Sequence, residues 1–188
     1  MGIAANQARL MTLTARQNDL EYKAQQISAI KMRLSQTTST LAQDYSKALN
    51  NYTKLNSAEQ IAKQYIKTET RKKEGSDENE TVEVSTANFI VNADGSFTLS
   101  KDGTVSAASL VQAVATALNV GTVTTANGYL TLQQGRYTTE TEQISAQEKV
   151  YDMELTQVNT EHDAIKTEYD AIKSLVGDNV EKSFNVFG

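Results

Sequence analysis

An apolar residue recurs at every seventh position along the first third of this 188-residue chain. The row has eight members in succession and lies within residues 3–74, which contain neither glycine nor proline. Its members are Leu13, Leu20, Ile27, Leu34, Leu41, Ala48, Leu55 and Ala62. A second row, which starts at Leu10, is about half apolar. Together the rows predict one long helix that buries a narrow face in a coiled coil or a helical bundle.

A polar segment at residues 35–40 is the weakest part of this predicted helix. It is partly β-branched, and residues 40–43 resemble a capping box that would restart a helix. The apolar row nevertheless keeps its phase from Leu34 to Leu41. We therefore expect a continuous helix or a mild kink at this point.

The last quarter of the chain returns to the seven-residue spacing. One row is Ile144, Tyr151, Val158, Ile165 and Ile172, and the other is Leu155, His162, Tyr169 and Val176. These rows predict a second helix over residues 138–176. Residues 139–142 have the composition of a helix N-terminal cap, and Gly177 is typical of a helix end.

Residues 71–135 differ in composition and predict a compact α+β module. They begin with a charged loop, hold six of the nine glycines and contain alternating, β-branched runs. Turn signals stand at residues 92–95 and at Asn127-Gly128. The predicted elements are strands over 81–91 and 96–100, a helix over 106–119, and strands over 121–125 and 129–133. The module therefore has the predicted order β-β-α-β-β.

Charge divides the chain into three parts that match these domains. Residues 1–70 carry nine basic and five acidic groups, residues 71–135 carry four and seven, and residues 136–188 carry five and eleven. Because the two helical arms have opposite net charge and matching apolar rows, we expect them to pair antiparallel with the module at the tip. The predicted fold class is mainly α, a long helical hairpin or coiled coil with an inserted α+β domain.

Packing between the arms is assigned to the large apolar members of the rows. These residues are Leu13, Leu20, Ile27, Leu34, Leu41, Leu55, Ile144, Tyr151, Leu155, Val158, Ile165, Tyr169 and Ile172. The arms differ in predicted length, so about 20 residues at the start of the first arm would lack an intrachain partner.

The surplus at the start of the chain and the C-terminal tail supply a predicted assembly or partner surface. Its residues are Ile3, Ala4, Ala8, Leu10, Met11, Val180, Phe184 and Phe187. A single two-helix coil also leaves apolar surface open to solvent. We therefore expect association with further copies of the chain or with a protein partner. A helix folded back in an intramolecular bundle is the alternative.

The composition excludes several kinds of site. The chain has no cysteine and one histidine, which rules out disulfides, thiolate metal sites and sites that need two imidazoles. It has neither a Walker loop nor a dinucleotide-binding glycine motif, and Lys101 at the twelfth ligand position argues against a calcium loop. His162 lies in an apolar row and is expected to pack there. We predict a non-enzymatic protein with no catalytic residue, metal site or cofactor.

Partners and location are less constrained. No apolar run approaches the length of a membrane-spanning helix, and the first residues lack the pattern of a cleaved secretory signal. The basic run at residues 71–73 is too short to predict nucleic-acid binding in an acidic protein. We expect an extracellular or cell-surface location reached without a cleaved signal, or a cytoplasmic one for an adaptor. The inserted domain is a candidate site for a protein or surface ligand.

Paired helical arms around an inserted domain, in a chain without Cys or Trp, resemble flagellin and the flagellar hook-associated axial proteins. Residues 1–10 are similar in style to the starts of hook and rod proteins. The chain also resembles a bacterial family that begins Met-Gly-x-Ala-x-x-Gln-Ala-Arg and ends near Glu-Lys-Ser-Phe, here residues 181–184. The axial-protein resemblance implies a subunit that self-assembles through its arms into a surface or extracellular filament. A soluble adaptor or chaperone that docks one protein partner is the alternative.

Overall fold

The structure, a computed structural model, describes residues 3–72 and 79–185. Two long helices dominate it, α1 over Ile3–Tyr65 and α3 over Ala126–Asn185. The elements between them are β1 Ile66–Lys72, β2 Asn79–Ser85, β3 Asn88–Val91, β4 Phe97–Leu99, β5 Val105–Ser106, a 3₁₀ turn Ala107–Ser109 and α2 Leu110–Ala117. The predicted mainly α class, with a small β-containing module between two long helices, is confirmed.

Helix α1 is continuous through the polar segment at residues 35–40. The hydroxyls of Thr37 and Thr38 donate to the carbonyl oxygens of Arg33 and Leu34, each at 3.0 Å. Both hydroxyls are therefore satisfied one turn back along the helix and do not draw the backbone into a turn. The constant phase of the apolar row was the correct indicator at this point.

Helix α3 begins at Ala126, and the second hairpin predicted around Asn127-Gly128 is wrong. Residues 129–133 lie in the first turns of α3, and residues 121–125 form no strand. The hydroxyl oxygen of Thr125 accepts a hydrogen bond from the Gly128 N–H at 3.0 Å. The carboxylate of Glu59 accepts another from the Ala126 N–H at 2.8 Å. Because these acceptors satisfy donors at a helix N-terminus, the Asn-Gly pair starts a helix here.

Helix α3 also continues through both features that were predicted to bound it. Residues 139–142 and Gly177 lie inside the helix, which ends at Asn185. An interior glycine costs only about 1 kcal/mol, and Val176 beside it packs against the apolar core of this part of the chain. The two helices contain 63 and 60 residues. The prediction of a surplus at the start of the first arm is therefore wrong, because α3 is long enough to cover it.

The predicted order β-β-α-β-β is wrong because all five strands precede α2. β1 and β2 form one antiparallel pair, and β4, β3 and β5 form a second antiparallel sheet in that order. The single strand predicted over 81–91 is divided at Thr86, whose N–H and hydroxyl both donate to the Tyr65 carbonyl. The predicted turn at 92–95 is confirmed, since Gly95 has a φ of +79° and its N–H donates to the Asn92 carbonyl.

The chain forms two compact units. The helical unit consists of Met1–Ser39 and Thr141–Gly188, and the mixed unit consists of Thr40–Glu140. In the mixed unit, the fully buried side chains of Phe89 and Leu110 share a core with Leu55 of α1. None of the helices in the described part of the chain is long and apolar enough to cross a membrane.

Candidate interaction surface

One apolar seam holds the two helices of the helical unit together. Its buried members are Leu13, Leu20 and Ile27 of α1 and Val158, Ile165 and Ile172 of α3. Each set has the seven-residue spacing from which it was predicted. The half-buried side chains that border the seam are Leu10, Ala24, Tyr151, Leu155, Tyr169 and Val176. The structure therefore brings together nine of the residues assigned to packing between the arms.

Ion pairs at the rim of the seam show the direction of the two helices. Arg9 Nε donates to Glu168 Oε1 at 2.9 Å, and Arg16 Nε donates to Glu161 Oε1 at 3.1 Å. Because residue numbers rise along α1 as they fall along α3, the helices are antiparallel. The hydrogen bond and the charge of Glu161 raise the pKa of Arg16 above its ordinary value. All four side chains are exposed, so these pairs set register more than stability.

Large apolar side chains also lie outside the seam on both helices of the helical unit. On α1 they are Met11, Tyr22 and Met32, and on α3 they include Met153 and Leu175. Each of these side chains is between 55% and 75% exposed. Scattered exposed apolar residues are normal on proteins, but several along one helix indicate a surface that makes contacts.

The predicted assembly residues fall into three groups. Ala4, Ala8 and Met11 are exposed on α1, whereas Leu10 is half-buried at the seam. Val180 is 37% exposed near the end of α3. The side chains of Ile3 and Phe184, and residue Phe187, lie outside the described residues.

Four predicted packing residues lie away from the seam core. Leu34 and Ile144 are half-buried in the helical unit. Leu41 and Leu55 belong to the mixed unit, where Leu55 is fully buried in the core and Leu41 lines a cleft. The seven-residue row of α1 is therefore shared between two different apolar environments.

His162 is half-buried and lies between two carboxylates. Its Nε2 is 3.5 Å from Glu21 Oε1 of α1, and its Nδ1 is 3.6 Å from Asp163 Oδ1. The adjoining cleft of about 140 Å³ is otherwise lined by Leu20, Ala24, Val158 and Asn159. The residues that line this cleft include no hydroxyl or amine that could act as a nucleophile. The imidazole of His162 therefore has no nucleophile beside it to activate.

A larger cleft in the mixed unit has an aromatic wall. The rings of Tyr45 and Tyr137 stack with centroids 4.6 Å apart, and Leu41, Asp44 and Arg136 complete much of a space of about 260 Å³. Tyr137 lies seven residues before Ile144, so it continues the predicted row by one step toward the N-terminus, and extending that row would have identified it. The cleft combines the two tyrosine rings with the acidic Asp44 and the basic Arg136. This combination is compatible with structural packing and also with contact to a ligand.

Two carboxylates of the mixed unit have lowered pKa values because hydrogen bonds stabilise their charged forms. At Glu59 the largest cause is Lys63, whose Nζ lies 2.7 Å away, followed by the Ala126 N–H. At Asp94 the causes are the hydroxyl and then the N–H of Ser96, at 2.6 and 2.9 Å. These groups stabilise the start of α3 and the 92–95 turn, so their shifts have structural causes.

Comparison with known proteins adds no identification. No protein family, curated protein or solved structure matches the chain. Within residues 3–72 and 79–185, no cluster of three or more His, Asp or Glu side chains could hold a metal ion. The candidate interaction surface in the described part of the chain is therefore formed by the two long helices, which carry exposed large apolar side chains.

Proposed function

We propose that this chain is a non-enzymatic structural protein that self-assembles through its long helices and leaves the inserted domain exposed. The observation that carries the proposal is the set of large apolar side chains outside the seam, such as Met11, Tyr22 and Met153. Association would remove this surface from water, which is the main favourable contribution to most protein-protein contacts. The expected partner is a second copy of the chain.

The seam itself supports a coiled-coil geometry within each subunit. Its buried residues are seven apart on both helices, as knobs-into-holes packing requires. A rigid antiparallel coiled coil would hold the exposed faces straight over many turns. Such a straight, repetitive surface suits regular assembly better than it suits a compact ligand site.

The proposal extends to a bacterial surface or extracellular filament. Its support is the resemblance to flagellar axial proteins, together with the length of the helices. Within the helical unit, α1 runs from residue 3 to residue 39, which at 1.5 Å per residue spans roughly 55 Å.

A soluble adaptor or chaperone that docks one protein partner is the second candidate. The observation that favours it is the coverage of Leu10 and Leu13 by α3 within the same chain. Because α3 of the same chain covers these two residues, neither needs a second copy, and the side chains that stay exposed, such as Met11, would then meet a different protein.

Light scattering coupled to size exclusion, followed by negative-stain microscopy, tests the proposal. Self-assembly predicts a mass that rises with concentration above the 20.6 kDa of one chain, and regular polymers on the grid. A mass of one chain at the highest soluble concentration, with no polymers, would contradict self-assembly and leave the adaptor as the better hypothesis.

A further inference from the structure

Helix α1 carries a second pair of regular rows on the side that faces away from the seam. One row passes through Tyr22, with Ala15 and Ala29 seven residues to either side, and the other runs from Met11 to Met32 in steps of seven. Every member of the two rows between residues 8 and 32 is exposed. None of them is Asp, Glu, Lys or Arg. We call these rows the α1 outer face.

Helix α3 carries a corresponding pair of rows. One consists of Met153, Thr160 and Thr167, and the other of Gln157, Ala164 and Ala171. All six residues are exposed and uncharged. We call these rows the α3 outer face.

Uncharged outer faces are unexpected on an isolated pair of helices. The positions opposite the seam of a two-helix coil face water and normally carry much of its charge. On these two helices, charged side chains such as Arg9, Arg16 and Glu161 lie at the rim of the seam and not on the outer faces. An uncharged face can be removed from water without the cost of desolvating ions, which favours a protein contact over solvent.

We propose that the α1 outer face of one copy packs on the α3 outer face of the next copy, so that copies stack side by side in one direction. This inference rests on the proposed self-assembly and names its contact. Large side chains of α1, Met11 and Tyr22, would meet the smaller threonine and alanine side chains of α3. Such a head-to-tail contact does not close on itself, so it generates an open polymer.

The register within one helical unit supports a purely sideways translation. On one rim of the seam Arg9 lies opposite Glu168 and Arg16 opposite Glu161, and on the other rim His162 lies opposite Glu21 and Asp152 opposite Lys31. Taken together, these pairs place Met11 at the level of residues 166–172 of α3. A neighbouring copy at the same height would therefore place Met11 beside Thr167 and Ala171. No shift along the helices is needed to bring the large and small side chains together.

The directions of the two faces agree with the same translation. The Arg–Glu pairs lie along one side of the seam. By helix position, the row through Met11 lies toward the side away from these pairs, whereas the row through Ala164 lies toward the same side as the pairs. The two faces thus point in opposite directions, which is the arrangement that a translated copy needs and a two-fold dimer does not.

Net charge favours contact between unlike helices. In the helical unit, residues 1–39 carry five basic and two acidic groups, and residues 141–188 carry four and ten. Packing α1 on the α3 of a second copy brings a positive helix to a negative one. Packing two α1 faces, or two α3 faces, would bring together helices of like charge.

The α3 outer face limits the size of the contact, because it is the shorter of the two. It runs from residue 153 to residue 171. That length corresponds to roughly 28 Å, and a contact about 10 Å wide would bury on the order of 600 Å² from both partners together. That lies below the roughly 1,200–2,000 Å² of stable complexes. Each added copy makes one more contact of the same size, so we expect weak association in which the average length of the stack rises with protein concentration.

Cysteine crosslinking tests the contact directly, because the chain has no cysteine of its own. Full-length Met11→Cys and Thr167→Cys proteins are mixed and oxidised, and each is also oxidised alone. The proposal predicts that the mixed disulfide exceeds either homodimer by about tenfold. Lys23→Cys, at an exposed position of α1 off the outer face, replaces Met11→Cys in the matched control and should give little mixed product.

The outcomes separate this contact from self-assembly itself. If the unmodified protein polymerises but Met11→Cys pairs mainly with itself, or no better than Lys23→Cys, the contact is wrong and self-assembly stands. If the unmodified protein keeps the mass of one chain at every concentration, both are wrong. Circular dichroism of each variant confirms that the helices are retained.

Discussion

The carboxylate of Glu59, on α1, accepts a hydrogen bond from the backbone N–H of Ala126, the first residue of α3, at 2.8 Å. Within the mixed unit this contact joins the two long helices at the point where the second one begins. Lys63, one turn along α1, holds the same carboxylate at 2.7 Å. The start of α3 thus depends on a charge supplied by a residue distant in sequence.

Replacing Glu59 with glutamine should destabilise the protein by about 1 kcal/mol at neutral pH, because a charge-assisted hydrogen bond is lost. The pKa of Glu59 is lowered in the folded state. Its contribution is therefore present above the ordinary value of 4.5 and is lost as the pH falls through the folded pKa. Chemical denaturation of wild type and Glu59→Gln between neutral and acid pH measures the difference.

The exposed Glu83 of β2 provides the matched control for that experiment. Glu83→Gln should change the free energy of unfolding little at any pH. A Glu59→Gln difference that stayed constant into acid would show that the carboxylate charge is not what stabilises the start of α3.

The cap at Thr125 gives a second prediction. Thr125→Ala should cost about 1 kcal/mol because the Gly128 N–H loses its acceptor. Thr125→Ser keeps the hydroxyl and should recover most of that loss, while Thr124→Ala, at the exposed neighbouring position, should be nearly neutral. Thermal unfolding followed by circular dichroism compares the three variants. Equal effects at positions 124 and 125 would argue against the cap.

Seven-residue spacing was sufficient to identify the buried faces of both long helices. Along α1 the row from Leu13 to Ala62 is buried at six positions and half-buried at Leu34 and Leu41. Burial on a helix follows angular position, which spacing reports directly. For the same reason the row kept the correct phase through the polar residues 35–40, where composition alone suggested a break.

Local sequence is ambiguous at the start of α3, because Thr125 can cap a helix whereas the two residues after Ala126 predict a turn. Asn127-Gly128 is a strong hairpin signal in isolation, and the second acceptor that favours a helix there, Glu59, is 67 residues away.

The outer faces were not predicted from the sequence for a different reason. Their rows contain alanine, threonine and glutamine between a few large residues, so they show no apolar periodicity. What distinguishes these rows is that they contain no charged residue.

Two glycines in different surroundings give a third, paired prediction. A Cβ on Gly103 would lie 2.6 Å from the backbone of Phe89, so Gly103→Ala must displace the central strand of the three-stranded sheet. We expect a loss of about 1–3 kcal/mol, the typical range for overpacking that moves the backbone. Gly135 lies within α3 with no atom near its Cβ position. Gly135→Ala should instead stabilise the helix by up to about 1 kcal/mol.

Opposite signs for the two Gly→Ala substitutions are the outcome to look for in thermal unfolding. A neutral Gly103→Ala would show that the β3 backbone does not approach residue 103 as closely as described. A destabilising Gly135→Ala would indicate that this part of α3 contacts something other than solvent.

The seam provides the fourth prediction, with two isoleucines of the same helix as the pair. Ile27 is 3% exposed in the seam, whereas Ile30, one turn further, is half-buried at its edge. Ile27→Ala should cost about 2–5 kcal/mol, because it removes buried surface and leaves a cavity in the seam between α1 and α3. Ile30→Ala should cost clearly less, since its side chain is already in contact with water.

Urea denaturation at low protein concentration, where association does not contribute, measures the free energy of unfolding of both variants. Equal losses at the two positions would mean that the seam is wider than the buried residues indicate and that α1 packs on α3 with a different face.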